Sequence, residues 1–456
     1  MKRARAICCA VLAGLMLAGC AVQPRTDDKQ GGGAAVDLTK YAVREAAYPA
    51  YPKEPRFEEY FSDSGEGDWD AYMAAEDEYL AALQKLGKGR LDQETAAPVL
   101  AFADRTAGAI FADSENRVYS PISLYAALAM LTETTDGDTK RQVMELLAAD
   151  DTETLRQQIK DLWIGIYTDD DQSVCRLANG AFLRENAEVK QEAVDALADW
   201  HFASSYRVPM GTEEADKAIA SWLNQNTGGL LSEETGDIRT DGNDLLRLYN
   251  TIYYKSGWRD AFESSRTRED VFTAADGAEQ KTDFMHRTEE GGYRKGDGYT
   301  AASRSLNYGR MVFVLPDQGV TPESLLQQQG FLAELTGDYS AAELVWSVPK
   351  FDVKSSTELN GVLQALGVTD AFDMTKADFT PLTDNGAFLR SAMQAARVKI
   401  DEEGVEAAAY TEIVCADSAM MEVPPTVEMD MDRPFLFVIF DYNNIPLFIG
   451  AVNTLN

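Results

Sequence analysis

The sequence predicts an α+β fold in which helices pack around large, mostly antiparallel β-sheets. Helical patterns are concentrated in the first half of the chain and strand-like runs in the second half, a distribution typical of this class. With 456 residues, 45% of them hydrophobic, the chain can bury a sizeable core. More than thirty residues separate the strand-like runs 397–400 and 435–441, and a loop of that length in a compact domain indicates a function.

The net charge of the chain is −33 at pH 7. Nucleic-acid binding requires clustered Lys and Arg to neutralise phosphates, so this charge argues against a nucleic-acid partner. We interpret the acidity as a property that keeps an exposed protein soluble.

The first residues have the pattern of an exported protein. Residues 1–19 carry a short basic start, an apolar run too short to span a bilayer, and small residues before Cys20, which is the order of a cleaved signal peptide. Residues 17–20 resemble a bacterial lipobox, which implies lipid on Cys20 and an outward-facing protein anchored to the bacterial cell membrane. Ordinary cleavage near Cys20 is the alternative.

Two segments separate the export signal from the main domain. Residues 20–67 contain three consecutive glycines and repeated Pro and Tyr, so we expect a tether without packed elements. Residues 68–94 form a helical extension, because Tyr72, Tyr79, Leu80 and Leu83 recur at helical spacing before Gly87. The main domain then covers residues 95–456.

The main domain begins with helices. Ser120 can cap free backbone donors and Pro121 suits a first helical position, which predicts a helix start at this point. The predicted helices are 99–111, 122–131, 140–147 and 215–226, and the predicted strands are 249–255, 311–315, 343–348, 435–441 and 447–452.

The long segment after residue 400 contains a strand pattern of its own. One set of alternate positions consists of small or apolar residues and one threonine, which is the period of a strand with one buried face. This set is Val405, Ala407, Ala409, Thr411, Ile413 and Cys415. Residues 417–432 are predicted to be exposed chain. The segment is therefore interpreted as a strand that lies outside its sheet.

Several motifs in this order resemble the serpin family of protease inhibitors. Asp401-Glu402-Glu403-Gly404-Val405-Glu406-Ala407-Ala408-Ala409 resembles the serpin hinge, and Asn250 to Trp258 resembles the strand that ends in a packed Trp. Residues 120–123, 349–351, 363–367 and 432–437 also follow the family order. Together the motifs cover residues 95–456.

The resemblance implies an inhibitor that is used once. The reactive loop is cleaved by a serine protease and then inserts into the central sheet, with Glu402 to Ala409 as the hinge. Ser120, Ser123 and Asn250 match the polar shutter that governs opening of the sheet, and Trp258 matches the tryptophan at the top of the sheet. Gln394 stands where the family usually has His; it can donate and accept hydrogen bonds but does not titrate near neutrality.

The peptide bond of the reactive loop that the target protease would cleave, here called the bait bond, has more than one candidate position. Counting from Gly404 by the family spacing gives Ser418-Ala419, and counting back from the proline pair at 424–425 gives Met421-Glu422. Asp417 is a further rival. A small residue before the bond implies elastase-like or subtilisin-like targets, and some cysteine proteases are also expected partners. Trypsin-like targets are not expected, because no Arg or Lys lies between Glu402 and Asp432.

Other functions fit the sequence less well. A non-inhibitory serpin fold that acts as a binding or scaffold protein is the main alternative, although the small hinge residues do not favour it. Acid–base catalysis by Glu402 and Glu403 is disfavoured, because adjacent residues of an extended chain face opposite ways. With two histidines and no Cys pair at metal-ligand spacing, we expect no metal site. We also expect no cofactor, no enzyme activity, no disulfide and a monomer.

Overall fold

The structure is a computed structural model that describes residues 36–46, 48, 52–61, 67–89, 91–169, 173–232, 234–405 and 424–455. Cys20, the hinge residues Glu406, Ala407, Ala408 and Ala409, and the candidate bait positions Asp417, Ser418, Ala419, Met421 and Glu422 lie outside the described residues. Within the described part of the chain the α+β prediction is confirmed: helices surround two large sheets. Among these residues no helix is both long and apolar enough to cross a bilayer.

The described helices are α1 Phe57–Tyr60, α2 Trp69–Leu86, α3 Gln93–Ile110, α4 Pro121–Thr134, α5 Gly137–Leu147, α6 Thr152–Ile166, α7 Gln191–His201, α8 Glu213–Asn226, α9 Pro322–Leu326, α10 Phe331–Glu334 and α11 Asn360–Ala365. The described strands are β1 Ala42–Arg44, β2 Arg117–Tyr119, β3 Thr168–Asp169, β4 Ser173–Arg184, β5 Ala203–Val208, β6 Leu246–Gly257, β7 Arg268–Thr273, β8 Glu279–Gly296, β9 Tyr299–Ser305, β10 Arg310–Pro316, β11 Ser340–Pro349, β12 Phe351–Glu358, β13 Met393–Ile400, β14 Gly404–Val405, β15 Thr426–Asp430, β16 Phe435–Phe440 and β17 Pro446–Val452.

The two sheets are described by their strand order and by the direction of each strand pair. The central sheet has the strand order β1-β5-β4-β6-β14-β13-β12, with β3 paired to β4. The second sheet has the order β15-β11-β8-β9-β10-β16-β17-β2, with β7 paired to β8. The pairs β4–β5 and β11–β15 are parallel, and the other described pairs are antiparallel, as the sequence predicts.

Helix α4 lies at the centre of the core. All but one of its residues are buried, and it packs against β6, β17 and the helices α3, α5 and α7. Its start follows the predicted capping pattern: the Ser120 side chain accepts a hydrogen bond from the backbone of Ser123 at 3.4 Å, and Pro121 occupies the first position. This start places two serines beneath the central sheet.

The prediction of an unpacked tether is wrong for residues 36–46. Strand β1 pairs antiparallel with β5 and extends the edge of the central sheet. The backbone N–H of Val36 donates to Ser221 of α8 at 3.2 Å, and the Tyr41 hydroxyl donates to Glu214 at 2.6 Å. Val36, Leu38 and Tyr41 pack into an apolar cluster with β4, β5 and α8. The three-residue strand is too short to give a recognisable period in the sequence.

The exposed-chain prediction for residues 417–432 is also wrong at its end. Residues Thr426–Asp430 form β15, which runs parallel to β11 in the second sheet. Met429 is fully buried and Val427 packs partly against the core, so these two apolar side chains anchor the strand. The loop that leaves the central sheet at β14 therefore returns to the second sheet at β15.

Substitution of Tyr41 with Ala should destabilise the protein, because Tyr41 is only 8% exposed. We expect a loss of about 3 kcal/mol in the free energy of unfolding. Thermal unfolding followed by circular dichroism measures it. Val43→Ala is the matched control, since Val43 lies in the same segment but is 40% exposed. Equal midpoints for the two variants would contradict a packed N-terminal strand.

Candidate functional site

A two-residue strand separates the two central strands of the central sheet. Gly404 and Val405 of β14 pair with Gly257 and Ser256 of β6, and Val405 also pairs with Ile400 of β13. Val405 is 3% exposed, so its side chain points into the core. The first two residues after the hinge turn therefore already form part of the sheet.

Below β14 the central strands are not paired to each other among the described residues. Strand β6 pairs with β4 on its far side and β13 pairs with β12, which leaves the two inner edges facing a cavity of about 1000 Å³. The cavity is lined by both strands and by α4, with Asn250, Ile252, Gln394, Ala396 and Leu124 among the lining residues. Among the described residues, β6 and β13 are joined only through β14, so the space between them can accommodate another strand.

Gly404 is required by the close approach of two backbones. A Cβ at this position would lie 2.4 Å from the carbonyl oxygen of Ser256 and 2.6 Å from Cα of Gly257. These neighbours are backbone atoms and cannot rotate away, so no larger residue fits without moving β6. Gly404 therefore lets the hinge enter the sheet.

The turn before β14 is held by the segment that follows β6. The Trp258 indole nitrogen donates to the carbonyl of Asp401 at 3.0 Å, and its backbone N–H donates to the carbonyl of Glu403 at 2.8 Å. The backbone N–H of Phe262 donates to the carbonyl of Glu402 at 2.9 Å. Trp258 is 2% exposed. These bonds fix the point at which the chain leaves β13.

The Glu402 side chain provides a second anchor. Its carboxylate accepts hydrogen bonds from Thr267 and Lys350, each at 2.7 Å. Burial opposes ionisation of Glu402, but these two donors outweigh it and hold the pKa of the carboxyl below its usual value. Glu403 is exposed. The two adjacent carboxylates thus face opposite ways and do not form a catalytic pair.

The four predicted shutter residues lie together under the middle of the sheet. The Gln394 side chain bonds the backbone of Ser120 in both directions, each at 2.9 Å, and the Ser123 hydroxyl donates to Asn250. Gln394 belongs to β13, Asn250 to β6, and both serines to the start of α4. The two central strands are therefore tied to the same helix rather than to each other.

The polar network continues beyond the predicted residues. Asn250 donates to the side chain of Asn179 on β4, which in turn donates to the carbonyl of His201, both at 2.5 Å. His201 Nε2 lies 3.0 Å from Glu133, which also accepts two hydrogen bonds from Arg156. Burial opposes ionisation of Glu133, but its bonds to Arg156 and His201 lower its pKa to about 2.

The predicted site residues thus form two groups, one at the top of the gap and one at its middle. The top group contains Glu402, Gly404, Val405 and Trp258, and the middle group contains Ser120, Ser123, Asn250 and Gln394. Sequence reasoning missed Thr267 and Asn179, and it noted Lys350 only as part of a motif. No local pattern could have found Thr267, since it meets Glu402 only through the fold.

No metal site emerges in the described part of the chain. No group of three or more His, Cys, Asp or Glu residues there is arranged to hold a metal ion. Cys175 is buried and free, and burial raises the pKa of its thiol well above the ordinary value. Cys415, the other cysteine of residues 95–456, lies outside the described residues.

The fold is thus defined by two large sheets among helices, with a glycine hinge set between the central strands of one sheet. The chain belongs to the serpin family: the family model described as serpin (serine protease inhibitor) matches residues 100–455. Alpha-1-antiproteinase 2 of Equus caballus is 29% identical over 352 residues, covering 75% of this chain and 82% of that protein. Serpin-Z1C of Triticum aestivum is 28% identical over 361 residues, covering 74% and 90%.

Solved serpin structures share the fold. The thermophilic serpin tengpin in its native state superposes with a TM-score of 0.72 at 25% identity, over 81% of this chain and 96% of that chain. Its latent state gives a TM-score of 0.69 at 23% identity, over 81% and 100%.

Removal of the Glu402 carboxylate should loosen the hinge. We expect Glu402→Ala to cost about 2 kcal/mol of stability, because two hydrogen bonds to a charged acceptor are lost. Glu403→Ala is the matched control, since Glu403 is exposed and its carboxylate has no hydrogen-bond or ion-pair partner among the described residues. Differential scanning calorimetry of both variants gives the measurement. A Glu403 variant that melts as low as the Glu402 variant would contradict the anchoring role.

Proposed function

We propose that this serpin inhibits serine proteases as a single-use substrate whose cleaved loop inserts between β6 and β13. The observation that carries the proposal is the two-residue strand β14, which seats Gly404 and Val405 between β6 and β13 at the top of a cavity of about 1000 Å³. The similarity to relatives such as alpha-1-antiproteinase 2, whose name describes protease inhibition, supports the same function. As an inhibitor the chain is not expected to turn over substrate.

The pairing of β14 defines a register for the inserted strand. Val405 is opposite Ser256 and Ile400, so continuing both antiparallel pairings brings Ala409 opposite Ile252 and Ala396. The same register brings Thr411 between the side chains of Asn250 and Gln394. Because Val405 points inward, every second residue after it would also point inward. The inward set starts with small residues, which enter between strands with little obstruction.

Insertion releases enough free energy to drive a large movement. About a dozen residues gaining about 1 kcal/mol each from ladder hydrogen bonds amount to on the order of 10 kcal/mol. Burial of apolar side chains in the gap adds to this gain. Addition of a loop strand to the central sheet is established behaviour of the serpin family.

The released energy acts on the acyl-enzyme. A serine protease attacks the bait bond with its serine, forms an ester to the loop, and releases the new amino terminus. Insertion would then pull the tethered protease along the sheet and distort its active site. A displacement of about 1 Å can cost about a hundredfold in rate, so hydrolysis of the ester would become very slow.

The bait bond is proposed at Ser418-Ala419, with Met421-Glu422 and the position of Asp417 as alternatives. A small residue before the bond suits elastase-like and subtilisin-like proteases. The absence of Arg and Lys from residues 403–431 argues against trypsin-like targets. The protein is proposed to act as a monomer.

A protease panel tests the proposal. The protein is incubated with elastase-like, subtilisin-like, chymotrypsin-like and trypsin-like enzymes, and denaturing gels reveal covalent complexes. We expect a denaturant-stable complex with an elastase-like or subtilisin-like enzyme and a released C-terminal peptide that begins at Ala419. Cleavage without any complex would identify a substrate. Resistance of the loop to the whole panel would favour a binding or scaffold protein.

The inserted register predicts that two adjacent loop residues differ in their tolerance of charge. Thr411→Lys would bury an ammonium group between Asn250 and Gln394, so insertion should slow and the protein should become a substrate. Glu412→Lys, on the opposite face, should remain an inhibitor. The number of inhibitor molecules consumed per trapped protease measures both effects. The register would be refuted if Glu412→Lys raised the number of inhibitor molecules consumed per trapped protease more than Thr411→Lys does.

We also propose that the protein is exported and held on the outer face of the bacterial cell membrane by lipid on Cys20. The support is the signal-like order of residues 1–19 and the lipobox-like residues before Cys20. Val36, the first described residue, bonds Ser221 of α8, so residues 21–35 would connect the lipid to this point. Cys20→Ser should abolish the lipid mass and release the protein from the membrane fraction.

A further inference from the structure

A second cavity lies where strands β8 and β9 separate. Residues Tyr293–Gly296 of β8 pair with β9, but from Ser303 onward β9 pairs only with β10. A cavity of about 510 Å³ occupies the divergence, lined by residues 289–292 of β8 and 303–305 of β9. This volume lies within the range of small-molecule sites, about 300 to 1000 Å³.

The cavity is lined by four guanidinium groups and three carboxylates. The arginines are Arg259, Arg287, Arg304 and Arg310, and the acids are Asp260, Glu289 and Glu290. The Glu289 carboxylate forms ion pairs with Arg287 at 2.6 Å and with Arg304 at 3.0 Å, so one negative charge is shared by two cations. Clustered arginines are unexpected in a chain with a net charge of −33.

Arg304 forms the inner wall of the cavity. Its side chain is 2% exposed and stacks on Phe262, with 3.9 Å from the guanidinium carbon to the ring centre, and on Trp258 at 4.9 Å. Its Nη1 has no hydrogen-bond partner among the described residues. Because Trp258 donates to Asp401, this wall is shared with the loop hinge.

Two of the arginines form no ion pair at contact distance with an acid in the described part of the chain, although Arg310 also feels the charge of the buried Asp441 from further away. Arg310 is half-buried and lies over the Phe440 ring at 4.9 Å, with no carboxylate oxygen within 4 Å of its guanidinium. Arg259 is exposed at the rim and has no such partner either. A half-buried cation whose nearest acid lies beyond ion-pair distance can be stabilised further by a bound anion.

We propose that this cavity binds a small oxyanion, a molecule bearing a carboxylate, sulfate or phosphate group, with Arg310 and Arg259 as its charged contacts. The planar guanidinium matches the oxygen pairs of these groups and bonds them in a bidentate manner. The site lies behind the hinge and is separate from the gap that would receive the loop. Binding of an oxyanion in this cavity does not require that the protein inhibits proteases.

Isothermal titration calorimetry of the full chain tests the site with three probes: citrate, inorganic phosphate and inorganic sulfate. We expect saturable binding of at least one probe, and the order of affinities identifies the preferred group. Arg310→Gln should weaken that binding about tenfold or more, because a hydrogen bond to a charged group is lost. Arg259→Gln should also weaken it, and its exposure makes a folding defect unexpected.

Arg141→Gln is the matched control. Arg141 is also an exposed-surface cation, but it lies on α5 and pairs with Asp138 and Glu145 away from the cavity. This variant should bind as the wild type does. Absence of saturable binding for all three probes would overturn the proposal, and so would unchanged affinity in both the Arg310 and Arg259 variants. Neither result would bear on trapping of proteases.

Discussion

The structure depends on one constraint: β14 occupies only the top of the space between β6 and β13. Two residues hold the central strands one strand-width apart, and no described residue pairs the edges beneath them. In the described part of the chain, the facing edges of β6 and β13 line a cavity, and a strand added there could pair with both of them. The residues that follow Val405 are attached at that point.

Two sets of contacts hold the sheet in this state. At the top, Trp258 and Lys350 fix residues 401–403 through hydrogen bonds and an ion pair. At the middle, α4 bonds β13 through Ser120 and β6 through Ser123. Because both strands are tied to one helix, the spacing of the gap is set by the core. Gln394 in this network cannot gain a charge near neutral pH, so the contact does not change with protonation.

Much of the fold could be predicted because apolar residues recur at regular helical or strand spacing along many of its elements. The helix after Ser120 and the strand ending at Trp258 are examples, and the hinge motif located Gly404. Strand β1 could not be predicted, since its three residues gain stability only from β5 and α8. The bond between Thr267 and Glu402 joins residues far apart in the chain, and the arginine-lined cavity exists only where two strands diverge. Such contacts leave no local pattern.

Trapping of a protease by loop insertion requires that the residues after Gly404 are more stable inside the sheet than outside it. The most direct test is to cleave the loop once within residues 406–423 and compare the thermal unfolding midpoints of nicked and intact protein. We expect the nicked protein to have a markedly higher thermal unfolding midpoint than the intact protein, because the freed strand fills the gap. A nicked protein that melts at the same temperature or lower would contradict it.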